Sequence, residues 1–138
     1  AMAAYKAKQM IVMRRDLKMR KGKIAAQAGH ACVDAVLKAL AARGTTLGED
    51  GEPVFAAGDD SALAAWFSAG VAKVCVYVDG EEALLDVAEQ GMDEGFVVSL
   101  VRDAGITEFH GEPTYTCLAF EPLFPEQVDP ITGDLPLY

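Results

Sequence analysis

Apolar and polar positions along this chain follow two different periods. Residues 9–13 (QMIVM) are a short apolar run with a β-branched centre and polar flanks, which predicts a buried first strand. Residues 22–43, GKIAAQAGHACVDAVLKALAAR, are rich in Ala and Leu, contain no Pro and end on Arg43 before Gly44. That pattern predicts one long helix with a basic last turn and a glycine stop. On it Ile24, Ala28, Ala31, Ala35 and Leu37 are expected to form the apolar side, while Lys23, Gln27, His30, Asp34 and Lys38 recur as a polar stripe. Residues 61–68 (SALAAWFS) suit a short helix. Residues 73–78 (KVCVYV), the charged helical segment 81–90 and residues 96–101 (FVVSLV) read as a βαβ unit, its two strands parallel with a right-handed connection. Asp79-Gly80-Glu81 starts the crossover helix, and Gly91 and Gly95 are expected to close it. A last strand spans 114–120, after which Pro122, Pro125, Pro130 and Pro136 predict an irregular tail. The fold class that follows is α/β: a small four-stranded mixed sheet flanked by helices in a three-layer α/β/α sandwich.

Length supports one domain over 6–138. Ala1 ahead of Met2 has the look of a tag remnant, so residues 1–5 are expected to be a disordered N-terminus and carry no argument. Residues 44–60 contain four glycines, one proline and five acidic residues without periodicity, which describes an acidic loop insertion. No apolar run approaches the roughly 20 residues needed to cross a bilayer, so no membrane partner is expected. Cys32, Cys75 and Cys117 are odd in number, far apart and flanked by apolar residues, which favours reduced core thiols and a cytoplasmic setting.

Charge changes the picture more than composition does. The net charge of −9 opposes a phosphate backbone if it is spread evenly, but it is not. Lys6, Lys8, Arg14, Arg15, Lys18, Arg20, Lys21 and Lys23 are eight of the twelve basic residues, interrupted only by Asp16. The chain is therefore expected to carry one basic face able to hold a polyanion, or else a solvated lysine-rich edge.

Familiar catalytic signatures are missing: there is no G-x-S-x-G, H-E-x-x-H, G-x-x-x-x-G-K-[ST] or C-x-x-C. With two histidines eighty positions apart, no metal site and no cofactor are expected. Two constellations remain. The first is Lys18-Met19-Arg20-Lys21-Gly22-Lys23-Ile24, where a helix start, a small Gly22 and several cations offer an anion site; helix starts of this kind also occur without a ligand. The second is Arg102-Asp103-Ala104-Gly105-Ile106-Thr107, beyond the carboxyl end of a strand, where ligands of open α/β sheets collect. Asp103 could orient a water or a lysine and Thr107 and Thr116 could donate hydrogen bonds, or Arg102-Asp103 could simply cap a turn. His30, one turn beyond Gln27, could face the same place or be a satisfied, half-buried histidine; His110 reads as solvent-facing.

At these two constellations the chain resembles the type 2 peptidyl-tRNA hydrolase family. KQMIVMRRDLKMRKGKIAAQAGHA (8–31) is similar to the family's opening block, VSLVRDAGIT (98–107) to its second, and TYTCLAFEP with ITGDL to its ending. The resemblance implies metal-free hydrolysis of the ester joining a peptide, or an N-blocked amino acid, to tRNA, which frees the tRNA for reuse. It also implies a homodimer. It places the catalytic roles on Lys21, Asp103, Thr107 and Thr116 and matches Gln27 and His30 to the family's helix-borne polar positions, so these two are expected to contact substrate; Lys18, Gly22, Lys23, Arg102 and Gly105 are expected to do so from their places in the two constellations. Peptidyl-tRNA is the expected partner, met by the basic N-terminal segment. The alternative is a non-catalytic tRNA-binding or adaptor protein on the same fold. Two departures stand out: the long acidic 44–60 segment, and HGEP at 110–113, one residue longer than the family's turn.

Overall fold

The protein is described by a computed structural model that covers residues 6–105 and 109–138. The expected disordered segment 1–5 lies outside the described residues. In chain order the elements are β1 (Gln9–Arg14), α1 (Lys21–Ala42), β2 (Thr46–Leu47), β3 (Pro53–Val54), α2 (Ala62–Ser68), β4 (Lys73–Val78), α3 (Glu81–Asp93), β5 (Val98–Asp103), β6 (Thr114–Phe120) and α4 (Pro125–Thr132).

Four strands form a mixed sheet in the order β4-β1-β6-β5. β1 pairs parallel with β4 and antiparallel with β6, and β6 pairs antiparallel with β5. β4 and β5 therefore run parallel, as the βαβ pattern requires, but β1 and β6 lie between them and the connection crosses the whole sheet. The edge beside β4 is covered by the chain end, where Tyr77 donates to the Pro136 carbonyl and Tyr138 to that of Cys75.

The sheet is clothed on both faces. α3 and α4 cover one, packing Leu84, Val87 and Val128 on Met10, Val12, Leu118 and Phe120. α1 covers the other with small residues, Ala31, Cys32 and Ala35, on Ile11, Met13, Cys117 and Ala119. α2 lies against the second half of α1 through Leu63, Trp66 and Phe67 with Val36 and Leu40.

Several expectations are corrected. Leu37, placed on the apolar side of α1, is 58% exposed, because the face that meets the sheet runs through Ala31, Ala35 and Ala39 instead. Gly91 does not close α3; it is buried inside the helix, where a Cβ would come within 2.5 Å of the Phe120 ring, so its role is close packing. Gly95, at φ 82°, takes the left-handed position just beyond the helix. The acidic 44–60 segment contains a small hairpin of β2 and β3, closed by Gly48 N–H to the Glu52 carbonyl. The tail is not irregular throughout: Pro125 opens α4, where a missing N–H costs nothing, and the Gln127 side chain accepts from Phe124 N–H. Cys32 and Cys117 are buried, whereas Cys75 is only half-buried. All three are free thiols, and burial raises each pKa, that of Cys117 to about 12, so they persist as protonated core groups.

Candidate functional site

The first turn of α1 and the end of β5 meet. Lys23 Nζ donates to Asp103 Oδ1 at 2.8 Å, with the two side chains only 17% and 13% exposed. Asp103 Oδ2 accepts the Gly105 N–H at 2.8 Å. Gln27, one turn beyond Lys23, reaches Asp103 Oδ1 from 3.5 Å through Nε2 and accepts the Thr116 hydroxyl at 2.6 Å through Oε1. The Lys23 hydrogen bond, followed by the Gly105 N–H and the Lys23 charge, holds the Asp103 carboxyl below its ordinary range against the opposing effect of desolvation.

Local backbone features make this meeting possible. Asp103 and Arg102 are not beyond the strand, as the sequence suggested, but its last two residues, because β6 continues to pair with them. Between Val101 and Arg102 the register shifts, so that Cys117 faces Val101, Tyr115 faces Arg102, and Thr116 is the additional residue. A bulge of this kind lets consecutive side chains share one face. Thr116 Oγ1 and Cys117 Sγ both bond Gln27 of α1, while Tyr115 packs with the opposite core. Arg14, itself nearly buried, donates to the Tyr115 carbonyl and holds Asp16 through two hydrogen bonds. Gly105, at φ 83°, is needed on two counts: a Cβ there would lie 2.2 Å from the Glu112 carbonyl oxygen.

The basic cluster divides in two. Lys8, Arg14, Arg15 and Lys23 are paired with Asp129, Asp16, Asp79 and Asp103, and the Arg15 guanidinium also stacks on Tyr77. Lys18, Arg20 and Lys21 are exposed and enter none of the ion pairs among the described residues. These three surround the start of α1, whose N-cap residue, Arg20, supplies no side-chain hydrogen bond. Lys18 holds a left-handed backbone (φ 50°), sparsely populated for a residue with a side chain. A Cβ on Gly22 would meet nothing, so no packing contact excludes a larger residue there.

Of the residues singled out from sequence, the structure thus brings together Lys23, Gln27, Asp103, Gly105 and Thr116. Lys21 points its charge into solvent, and the lysine beside Asp103 is Lys23. Thr116 is fully buried, its hydroxyl given to Gln27. Arg102 is exposed and lies 5.6 Å from the centre of the Tyr115 ring. His30 is exposed and borders a shallow depression with Val33, Asp34 and Leu37. His110 is exposed in the turn after β5. Thr107 lies outside the described residues. Among the described residues no three His, Cys, Asp or Glu side chains gather into a group able to hold a metal ion, and no helix is long and apolar enough to cross a membrane.

A model of the family "Peptidyl-tRNA hydrolase PTH2" matches residues 7–138. The chain belongs to that family. Among curated relatives it is similar to the peptidyl-tRNA hydrolase of Methanopyrus kandleri, at 41% identity over 94% of this chain and 97% of that one. The peptidyl-tRNA hydrolase of Nanoarchaeum equitans is 38% identical over 95% and 98%, and that of Aeropyrum pernix 41% identical over 95% of each. Among solved structures, a protein of unknown function from Agrobacterium superposes with a TM-score of 0.53 over 97% of this chain and 98% of its own, at 13% identity, a likeness of fold alone. The family assignment covers β1, α1, the Asp103 turn and β6 together, so the site lies wholly within the matched region.

Proposed function

We propose that this protein hydrolyses the ester bond between a peptide, or an N-blocked amino acid, and tRNA, releasing free tRNA in the cytoplasm. The observation that carries the reading is membership of the peptidyl-tRNA hydrolase PTH2 family over residues 7–138, with relatives of that name matched along nearly their whole length. The site supports it chemically. A cation fixed by a carboxylate at the mouth of a helix is suited to stabilise negative charge as it develops on the ester oxygen.

In this reading the central pair is Lys23 and Asp103. A carboxyl held below its ordinary pKa is a weak proton acceptor near neutrality, so Asp103 serves to aim the Lys23 ammonium and to orient a water rather than to take the proton first. Gln27 touches Asp103 and faces the same space, and Thr116 acts through Gln27 as a positioning residue. Thr107 keeps the catalytic role that the family resemblance implies. Lys18, Arg20 and Lys21, free of acidic partners among the described residues, hold tRNA phosphates, with the N–H groups of the α1 first turn adding to the attraction. A homodimer belongs to the same proposal.

The test incubates the protein with N-acetyl-aminoacyl-tRNA and follows free tRNA. Release by the wild-type chain is expected, reduced about 100-fold or more in kcat/KM by Lys23→Ala or Asp103→Asn, the scale of losing one charge-stabilising group. No release by the wild type, or equal release by all three, rejects the reading.

A further inference from the structure

Among the described residues, hydrogen bonds join α1 to β5 at two places. At the start of the helix Lys23 and Gln27 meet Asp103. Further along, the Ser99 hydroxyl donates to Asp34 Oδ2 at 2.6 Å, and Lys38 Nζ approaches the same oxygen at 2.9 Å. Ser99 is buried, at 3% exposure, and its side chain points to the α1 side with Val101 and Asp103, whereas Val98 and Leu100 pack toward α3 and α4. Lys23 and Asp34 stand eleven residues apart, three helical turns, so both lie on one line of the α1 surface, about 16 Å from each other. Ser99 and Asp103 are four residues apart on one face of the strand, about 13 Å. One line of the helix thus meets one strand at both ends.

Packing between these ends holds the helix weakly against a roll about its own axis. Ala31 and Ala35 lie on Cys117 and Ala119, and such short side chains raise only shallow ridges. Gln9 of β1 fixes one flank of α1, its Nε2 donating to the Cys32 carbonyl at 3.1 Å. β1 and β5 lie on opposite sides of β6, so the Ser99–Asp34 bond fixes the other flank. A roll that carried Asp34 away from Ser99 would carry Lys23, on the same line, away from Asp103. The Ser99 hydroxyl, followed by Lys38, holds the Asp34 carboxyl below its ordinary range against desolvation, with a smaller effect from His30. Near neutrality Asp34 is therefore an ionised acceptor, which strengthens the bond.

We propose that Asp34 and Ser99 are positioning residues for the hydrolysis: their hydrogen bond sets the roll of α1 on the sheet and so aims the Lys23 ammonium at Asp103. This role rests on the hydrolytic reading above and adds to it a pair three turns away from the first turn of α1.

With N-acetyl-aminoacyl-tRNA, Ser99→Ala and Asp34→Ala are each expected to lower kcat about tenfold per native molecule, with KM within about twofold of the wild type. Asp34→Asn keeps an oxygen for the Ser99 hydroxyl and is expected to retain the wild-type rate. Lys38→Ala, which removes only the exposed partner of Asp34, is expected to retain it as well. A second readout needs no substrate. Lys23 holds the Asp103 carboxyl low, so its carbon-13 titration is expected to move up toward the ordinary carboxylate range in Ser99→Ala and to stay in place in Asp34→Asn. A wild-type kcat in Ser99→Ala, a loss confined to KM, or an equal loss in Lys38→Ala overturns the proposal. So does a loss in Asp34→Asn equal to that in Asp34→Ala, which would mark a charge acting on His30 in place of a hydrogen bond. An unmoved Asp103 titration in Ser99→Ala overturns it whatever the rates. If the wild type releases no tRNA, the hydrolytic reading falls, and the titration alone decides whether Asp34 and Ser99 aim Lys23.

Discussion

The two faces of the sheet are packed by opposite means. On the α3 and α4 face the side chains are large: Phe120, Leu118, Leu84 and Met10 fill the space between layers. On the α1 face they are small, with Ala31, Ala35, Cys117 and Ala119 at the contact. Small residues let a helix approach a sheet closely, and here the closeness is visible in the Cys117 thiol, which reaches a backbone carbonyl of α1 at Gln27. The same proximity lets Lys23 and Gln27, two turns and one turn ahead of Ala31, reach Asp103 of β5 and Thr116 of β6. One face is filled by large side chains. The other sets the distance between Lys23 of α1 and Asp103 of β5.

The sharpest way to separate these roles is to cut the large face. Phe120 is fully buried, and Phe120→Ala is expected to cost about 3–5 kcal/mol in chemical denaturation. The fraction still folded should keep its hydrolytic rate per native molecule, because Phe120 meets neither Lys23 nor Asp103. A loss of rate larger than the loss of folded protein would mean that the faces are coupled.

The converse change enlarges the small face. Ala31→Leu adds three carbons where no exposed surface exists, with an expected cost of about 1–3 kcal/mol. Its effect on hydrolysis should exceed its effect on folding, since a helix displaced from the sheet by even an ångström separates Lys23 from Asp103. Leu84→Met, a nearly volume-conserving change on the other face, is the control and should cost below about 1.5 kcal/mol with unaltered rate. Equal behaviour of the two variants would remove the distance argument.

How far the sequence could go follows the same division. The strands at 73–78 and 114–120 and the long helix were readable from periodicity alone, because apolar alternation and helical spacing are local signals. That chemistry should gather near the carboxyl end of β5 also followed from the general habit of α/β sheets, although Asp103 proved to be the last residue of the strand and not part of a turn beyond it. The identity of the lysine did not, although a local signal existed. Lys23, Gln27, Ala31, Ala35 and Ala39 stand four apart, so the first two extend the sheet-facing row, whereas Lys21 lies off it. The bulge that turns Thr116 toward Gln27 depends on the pairing of two strands and leaves no mark in either alone. Similarly, half of the basic cluster is consumed by aspartates as remote as Asp79 and Asp129, a long-range fact that a charge count does not contain. Pro130 gave a false signal: read as a breaker, it sits in a short helix where it forgoes one backbone hydrogen bond.

The pair on the small face also carries a pH signature. Asp103 has a lowered carboxyl pKa in the folded chain, so the stability it contributes is present above the ordinary carboxylate value of about 3.9 and is lost as pH falls through the lower folded value. Between pH 5 and 7 Asp103 remains ionised, and kcat/KM should show no acid limb attributable to it. Asp103→Asn should flatten the loss of stability below pH 4 relative to the wild type, read from denaturation midpoints. An acid limb near pH 6 that vanishes in Asp103→Asn would instead make Asp103 the proton acceptor and reverse its proposed role.

The smallest effect concerns the two lysines of the first turn. Lys21 is exposed and unpaired among the described residues, whereas Lys23 is held by Asp103. Lys21→Ala is therefore expected to raise KM by a few-fold and leave kcat near the wild-type value, the pattern of a contact made equally in the bound and transition states. If that contact is to a phosphate, the slope of log(kcat/KM) against log salt should become shallower by roughly 0.7–0.9, the share of one neutralised phosphate. The two lysines then differ in kind: one adds affinity that salt screens, the other adds rate that salt leaves largely alone. A fall in kcat for Lys21→Ala equal to that for Lys23→Ala would place both ammonium groups at the reacting ester, and the Asp103 contact would no longer distinguish them.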